Sequence, residues 1–129
     1  MRIQNKSMEA VMLKLGNPNE NMVLTITVSD NLTKEDYDRV LPELEKMLDM
    51  FGSLRFFIRL VDFTGFEIDA LWEDIKFDYR HKNQYGRIAI VGDTKWEEWG
   101  ARLSKLFFDS EMQFFYADQA DKAWKWVNS

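Results

Sequence analysis

Arg87-Ile-Ala-Ile-Val-Gly-Asp-Thr-Lys-Trp-Glu-Glu-Trp99, an amphipathic run after it, Met112-Gln-Phe-Phe-Tyr116 and Asp121-Lys-Ala-Trp-Lys-Trp-Val127 read as strand, helix, strand, helix with little slack. Ile88–Val91 is the short apolar run expected of a strand covered on both faces. Thr94 and Glu97 have the spacing of a capping box, in which each side chain satisfies an orphan backbone donor. Trp96, Trp99, Leu103, Leu106 and Phe107 then fall on one face of the helix. Glu111–Tyr116 is the next strand. Asp118 or Asp121 caps a last helix carrying Ala120, Trp124 and Val127, with Trp126 on a different side. Strands alternating with helices predict a mainly parallel sheet joined by right-handed crossovers.

The N-terminal part completes the pattern. Residues 1–7 read as a short arm, and 8–129 as one domain. Met8–Leu15 is a strand candidate with Val11, Leu13 and Leu15 on one face. Gly16-Asn17-Pro18-Asn19 is turn chemistry. Met22–Ser29 alternates Leu24, Ile26 and Val28 against Thr25 and Thr27, the period of a half-buried strand. These two strands are expected to form an antiparallel hairpin. Thr33 is placed to cap a helix whose stripe is Tyr37, Val40, Leu41, Leu44, Leu48 and Phe51. Pro42 lies inside it and should kink it or split off its first turns; Gly52 ends it. Leu54–Val61 is a strand with Arg55 and Arg59 on one face, Asp62-Phe63-Thr64-Gly65 a loop, and 67–81 a helix with Ile68, Leu71, Trp72, Ile75 and Tyr79 toward the core. The fold class is therefore α/β: about five mostly parallel strands, an N-terminal β-hairpin and four helices.

The bulk numbers narrow the function classes. The chain has 129 residues, about one domain. With 46% hydrophobic residues it can bury a core without covalent help. There is no cysteine, which excludes a disulfide scaffold, thiolate catalysis and thiolate-bound zinc, and suits a reducing, cytoplasmic setting. The net charge of −5 argues against nucleic acid, whose phosphates demand clustered Lys and Arg. No apolar run reaches the roughly 18 residues of a membrane span, and no signal peptide is read at the N-terminus.

Two blocks resemble a known family. One is Leu60-Val61-Asp62-Phe63-Thr64-Gly65-Phe66-Glu67-Ile68-Asp69-Ala70-Leu71-Trp72. The other is Ile88-Ala89-Ile90-Val91-Gly92-Asp93 through Trp96 and Trp99, then Phe114-Phe115-Tyr116 and Ala123-Trp124. Together they resemble the SpoIIAA-like family of small stand-alone bacterial proteins with the STAS fold (sulfate transporter and anti-sigma factor antagonist). The likeness covers residues 8–127. It implies a non-enzymatic regulatory module that binds a protein partner or itself. Antagonists of this type carry an Asp-Ser-Ser-Gly-like segment whose Ser is phosphorylated. The counterpart here, Asp69-Ala70-Leu71-Trp72, keeps the Asp but has no hydroxyl for a kinase, so the resemblance implies a module without the serine phosphoswitch. Thr64 lies a few residues upstream.

Candidate chemistry is sparse. Asp62, Asp93 and Asp118 follow the C-terminal ends of three strands, where open α/β sheets bind ligands. Three converging carboxylates could hold Mg²⁺ and serve an enzyme; the plain reading is that each caps a turn or helix. The Asp and Glu residues early in 67–81 match the helix dipole or form an acidic docking face. His81, the one histidine, lacks a nucleophile to serve and reads as a surface residue near a helix end. Trp96, Trp99 and Phe108 form either ordinary core or an aromatic wall for a hydrophobic small molecule, a lipid carrier site or peripheral membrane contact. The binding residues expected are thus Asp62, Thr64, Asp69, Trp72, Asp93, Trp96, Trp99 and Phe108, with no cofactor, metal or catalytic residue.

Overall fold

A computed structural model describes residues 13–66, 77, 80–93 and 111–129. Its elements are β1 (Leu13–Leu15), β2 (Val23–Leu32), α1 (Lys34–Phe51), β3 (Leu54–Phe66), β4 (Tyr85–Gly92), β5 (Met112–Tyr116) and α2 (Ala120–Asn128). Short 3₁₀ turns at Lys82–Gln84 and Ala117–Gln119 lead into β4 and α2. The strands form one sheet in the order β1-β2-β3-β4-β5. β1 runs antiparallel to β2, and the other pairs are parallel. The expected hairpin and five-stranded, mostly parallel sheet are thus present. Of the four expected helices, α1 and α2 are described; Phe77, Arg80 and His81 are helical, and the remainder of 67–81 and the helix from Thr94 lie outside the described residues.

The hairpin turn is built by Asn19. Its Oδ1 accepts from the backbone N–H groups of Asn21 and Val23, both at 2.9 Å, which folds the chain back before β2 starts. Thr33 and Asp36 form the N-terminal cap of α1. Asp36 N–H donates to Thr33 Oγ1 at 3.2 Å, and Thr33 N–H to Asp36 Oδ2 at 3.0 Å. At the other end Gly52 takes φ +83, a conformation only glycine adopts cheaply, and its N–H reaches Leu48 O at 2.9 Å. Of the two outcomes expected at Pro42, a kink or a split, the split does not occur: the helix runs on from Lys34 to Phe51. Pro42 and Asp38, whose carbonyl loses its donor, are both exposed, so the break in the ladder lies at a solvent-facing part of the helix.

The sheet separates two apolar layers. On one face Leu24, Ile26, Val28, Phe56 and Ile88 pack with Tyr37, Val40, Leu44 and Leu48 of α1 and with Phe77. On the other, Val23, Phe57, Ala89, Val91 and Phe115 pack with Ala123 and Val127 of α2. Trp126 packs against this second layer, while Trp124 is 40% exposed with its ring edge on Phe57. Neither Asp118 nor Asp121 caps α2 with its side chain, a further correction: the residue before the helix is Gln119, and it makes no side-chain cap bond. The 3₁₀ turn feeds the chain directly into the helix, moving the cap position beyond Asp118.

Candidate functional site

The C-terminal rim of the sheet is where this topology favours a ligand, and its main feature is the far end of β3. The stretch expected to be a loop, 62–65, continues the strand to Phe66. It does so at the cost of regularity. Ser29 pairs with Val61 but Asp30 with Phe63, and Asn31 pairs with Gly65. Asp62 and Thr64 are therefore extra residues opposite β2, the signature of β-bulges. Asp62 holds φ +50, a left-handed conformation in the middle of a strand. Asp and Asn tolerate this region better than other residues because their short polar groups bond locally. The last pair between β3 and β4 is Arg59 with Val91. From Leu60 onward the described pairing of β3 is with β2 alone, and Val61 and Asp62 are exposed.

Asp93 is also exposed, one residue past β4, and Asp118 is exposed in the turn before α2. The three aspartates do not assemble a cation site: no group of three acidic, His or Cys side chains among the described residues is placed to hold a metal. The reason is the strand order. β4 lies between β3 and β5, so the strand that carries Asp62 and the strand that leads into the turn of Asp118 are about 10 Å apart. The Mg²⁺-enzyme reading of Asp62, Asp93 and Asp118 is withdrawn on that ground. The side chain of Thr64 and all of Asp69, Trp72, Trp96, Trp99 and Phe108 lie outside the described residues.

Two polar assemblies were missed by sequence reasoning. His81 is not a surface residue; it is 8% exposed. Its ring stacks on Phe77 at 4.4 Å between centroids. Gln84 Nε2 donates to Leu48 O at 3.2 Å and Gly52 O at 2.9 Å, which orients its amide so that Oε1 faces His81 Nδ1 at 2.7 Å. An amide oxygen only accepts, so Nδ1 carries the proton. Nε2 is buried without a hydrogen bond, and Glu45 Oε2 lies 3.8 Å away. The second assembly ties down α2. Arg55 donates to Val127 O at 3.0 Å and Ser129 O at 3.1 Å. Arg87 donates to Trp126 O at 2.9 Å and lies over the Trp126 ring at 5.2 Å. Two guanidinium groups thus meet the negative end of the helix dipole. Arg near the start of two apolar strands, second in β3 and third in β4, was the available signal. Gly86 fits closely there: a Cβ would stand 3.1 Å from the Arg55 Cγ, so the Arg55 side chain would have to give by a few tenths of an ångström.

This fold, a five-stranded sheet with one antiparallel edge, helices on both faces and a bulged central strand at the rim, defines an α/β module of the STAS type. The SpoIIAA-like family model matches residues 23–128, and the chain belongs to that family. Among solved structures it is similar to an uncharacterized protein of the DUF3478 family with a SpoIIAA-like fold from Shewanella loihica PV-4. The TM-score is 0.76 and the identity 26%, over 89% of this chain and 91% of the other. No curated protein matches the chain. No helix among the described residues is long and apolar enough to cross a membrane.

Proposed function

We propose that this chain is a non-enzymatic regulatory module that works by docking, with a protein partner or a second copy as its ligand and without a serine phosphoswitch. The docking surface is the rim at Asp62; Thr64, Asp69 and Trp72, which follow it in sequence, are its further candidate residues. The observation that carries this reading is Asp62 itself, an exposed carboxylate held at φ +50 in a bulge of the central strand. Left-handed non-glycine residues and bulges both concentrate at functional rims, where they re-aim a side chain. An exposed carboxylate at a strand overhang suits a partner carrying Lys or Arg. Family membership supports the regulatory class. The segment Asp69-Ala70-Leu71-Trp72 supports the loss of the switch, since none of its side chains has a hydroxyl.

The test is capture of a partner from the native host by the immobilised chain, compared with Asp62→Lys and Asp62→Gly. Glycine keeps the backbone conformation and removes the carboxylate. Lysine reverses the charge. Both variants should retain native circular dichroism and lose the partner, and wild-type capture should weaken as salt rises. Equal capture by Asp62→Lys would remove the reading. So would a substrate turnover that disappears with Asp62→Asn.

A further inference from the structure

The sheet has two edges, β1 and β5, and they are protected very differently. An edge strand presents unpaired N–H and C=O groups, and proteins blunt it with shortness, charge, proline or bulges. β1 has three residues and carries the exposed Lys14. β5, Met112-Gln-Phe-Phe-Tyr116, has five, with no charge and no proline, and its register with β4 is unbroken. Glu111, the acidic residue just outside it, is paired with Arg87 at 3.4 Å.

The hydrogen-bond parity of β5 can be read from its partner. Ile88 pairs with Met112, and its N–H donates to Glu111 O at 2.8 Å. In a parallel ladder this means that Glu111, Gln113 and Phe115 address β4. The backbone groups of Met112 and Phe114 then point away from the sheet, and no described residue bonds them. Phe114 sits at the centre of the strand.

We propose that β5 is a homodimerisation edge: two copies pair antiparallel through β5, with Phe114 on the two-fold axis, to form a continuous ten-stranded sheet. In that register Phe114 exchanges both backbone bonds with the second copy's Phe114. Met112 stands opposite the second copy's Tyr116, and Gln113 opposite its Phe115. The strand is self-complementary because it is uncharged, and the Phe114–Tyr116 edge-to-face pair, at 5.2 Å between centroids, meets its own image across the axis. A closed two-fold arrangement consumes the edge and leaves no growing end. This surface is distinct from the Asp62 rim, so its failure would leave the docking reading above intact.

The chain has no cysteine, so one engineered thiol reports unambiguously. Light scattering across a dilution series should give twice the 15.4 kDa chain mass, falling toward one chain on dilution. Phe114→Cys should cross-link on mild oxidation, since an on-axis hydrogen-bonded pair has Cα atoms about 5.5 Å apart, within disulfide reach. Asp121→Cys, on the exposed side of α2, should not. Gln113→Lys, at an exposed position, sets two like charges diagonally across the axis and should raise the dimer dissociation constant about fivefold. A monomer at every concentration overturns the proposal, as does a dimer in which folded Phe114→Cys stays uncross-linked. If Phe114→Cys does not fold, Gln113→Lys decides, and unchanged dimerisation overturns it.

Discussion

His81 illustrates how a polar side chain near a helix end can be read as exposed and yet be buried. Phe77 and His81 are four residues apart and share a face; Phe77 is 1% exposed and carries His81 into the core with it. The stripe read from Ile68 to Tyr79 did not include Phe77, and its own residues lie outside the described ones. Gln84 then completes the environment by linking His81 to the end of α1. Gln84→Ala should remove the bonds to Leu48 O and Gly52 O at the end of α1 and leave His81 Nδ1 buried without a partner, costing about 1–3 kcal/mol. Urea unfolding checks this, with a lower midpoint and an unchanged slope. Thr33 was legible at once, because an N-cap involves only residues three apart. Thr33→Ala should cost ~0.5–2 kcal/mol by the same measurement, since it breaks the pair with Asp36. The conformation of Asp62 was not legible, because a bulge belongs to a pair of strands and not to one.

At the scale of elements, α1 and β3 both run on past residues expected to interrupt them. Pro42 breaks the hydrogen-bond ladder of α1, but the apolar stripe from Tyr37 to Leu48 is buried against the sheet on both sides of it. Tertiary packing outweighs one missing bond and a ring clash. The proline nonetheless weakens the helix. Pro42→Ala should raise stability by up to about 3 kcal/mol, seen as a higher midpoint in thermal or urea unfolding. The 62–65 stretch looked like a loop because Asp, Thr and Gly are turn residues. In β3 those same residues tolerate two bulges that a regular strand sequence would resist.

The whole molecule is one sheet with a core on each face. Leu48 and Val127 are both fully buried, one in each layer. Leu48→Ala should cost about 2–5 kcal/mol and Val127→Ala about 1–3 kcal/mol. Because the sheet lies between them and they share no partner, the double variant should lose the sum to within about 0.5 kcal/mol. Calorimetry should still give a single transition, since both layers are built on opposite faces of the same strands β2, β3 and β4. Two transitions would mean that α2 folds onto the sheet independently.

By itself the sequence determined what depends on near neighbours: alternation of strand and helix, the Thr33 cap, the Gly52 stop, the stripe of α1 and, through its hydrophobic pattern, the family. Tertiary structure alone decided the burial of His81, the bulge at Asp62, the separation of Asp62, Asp93 and Asp118, and the use of Arg55 and Arg87 to anchor α2. The physical reason is range. Caps and helical periodicity are set within about four residues along the chain. Burial, strand register and the meeting of side chains are set by distant partners, 36 to 72 residues away in the bonds of Gln84, Arg87 and Arg55, whose positions no local pattern encodes.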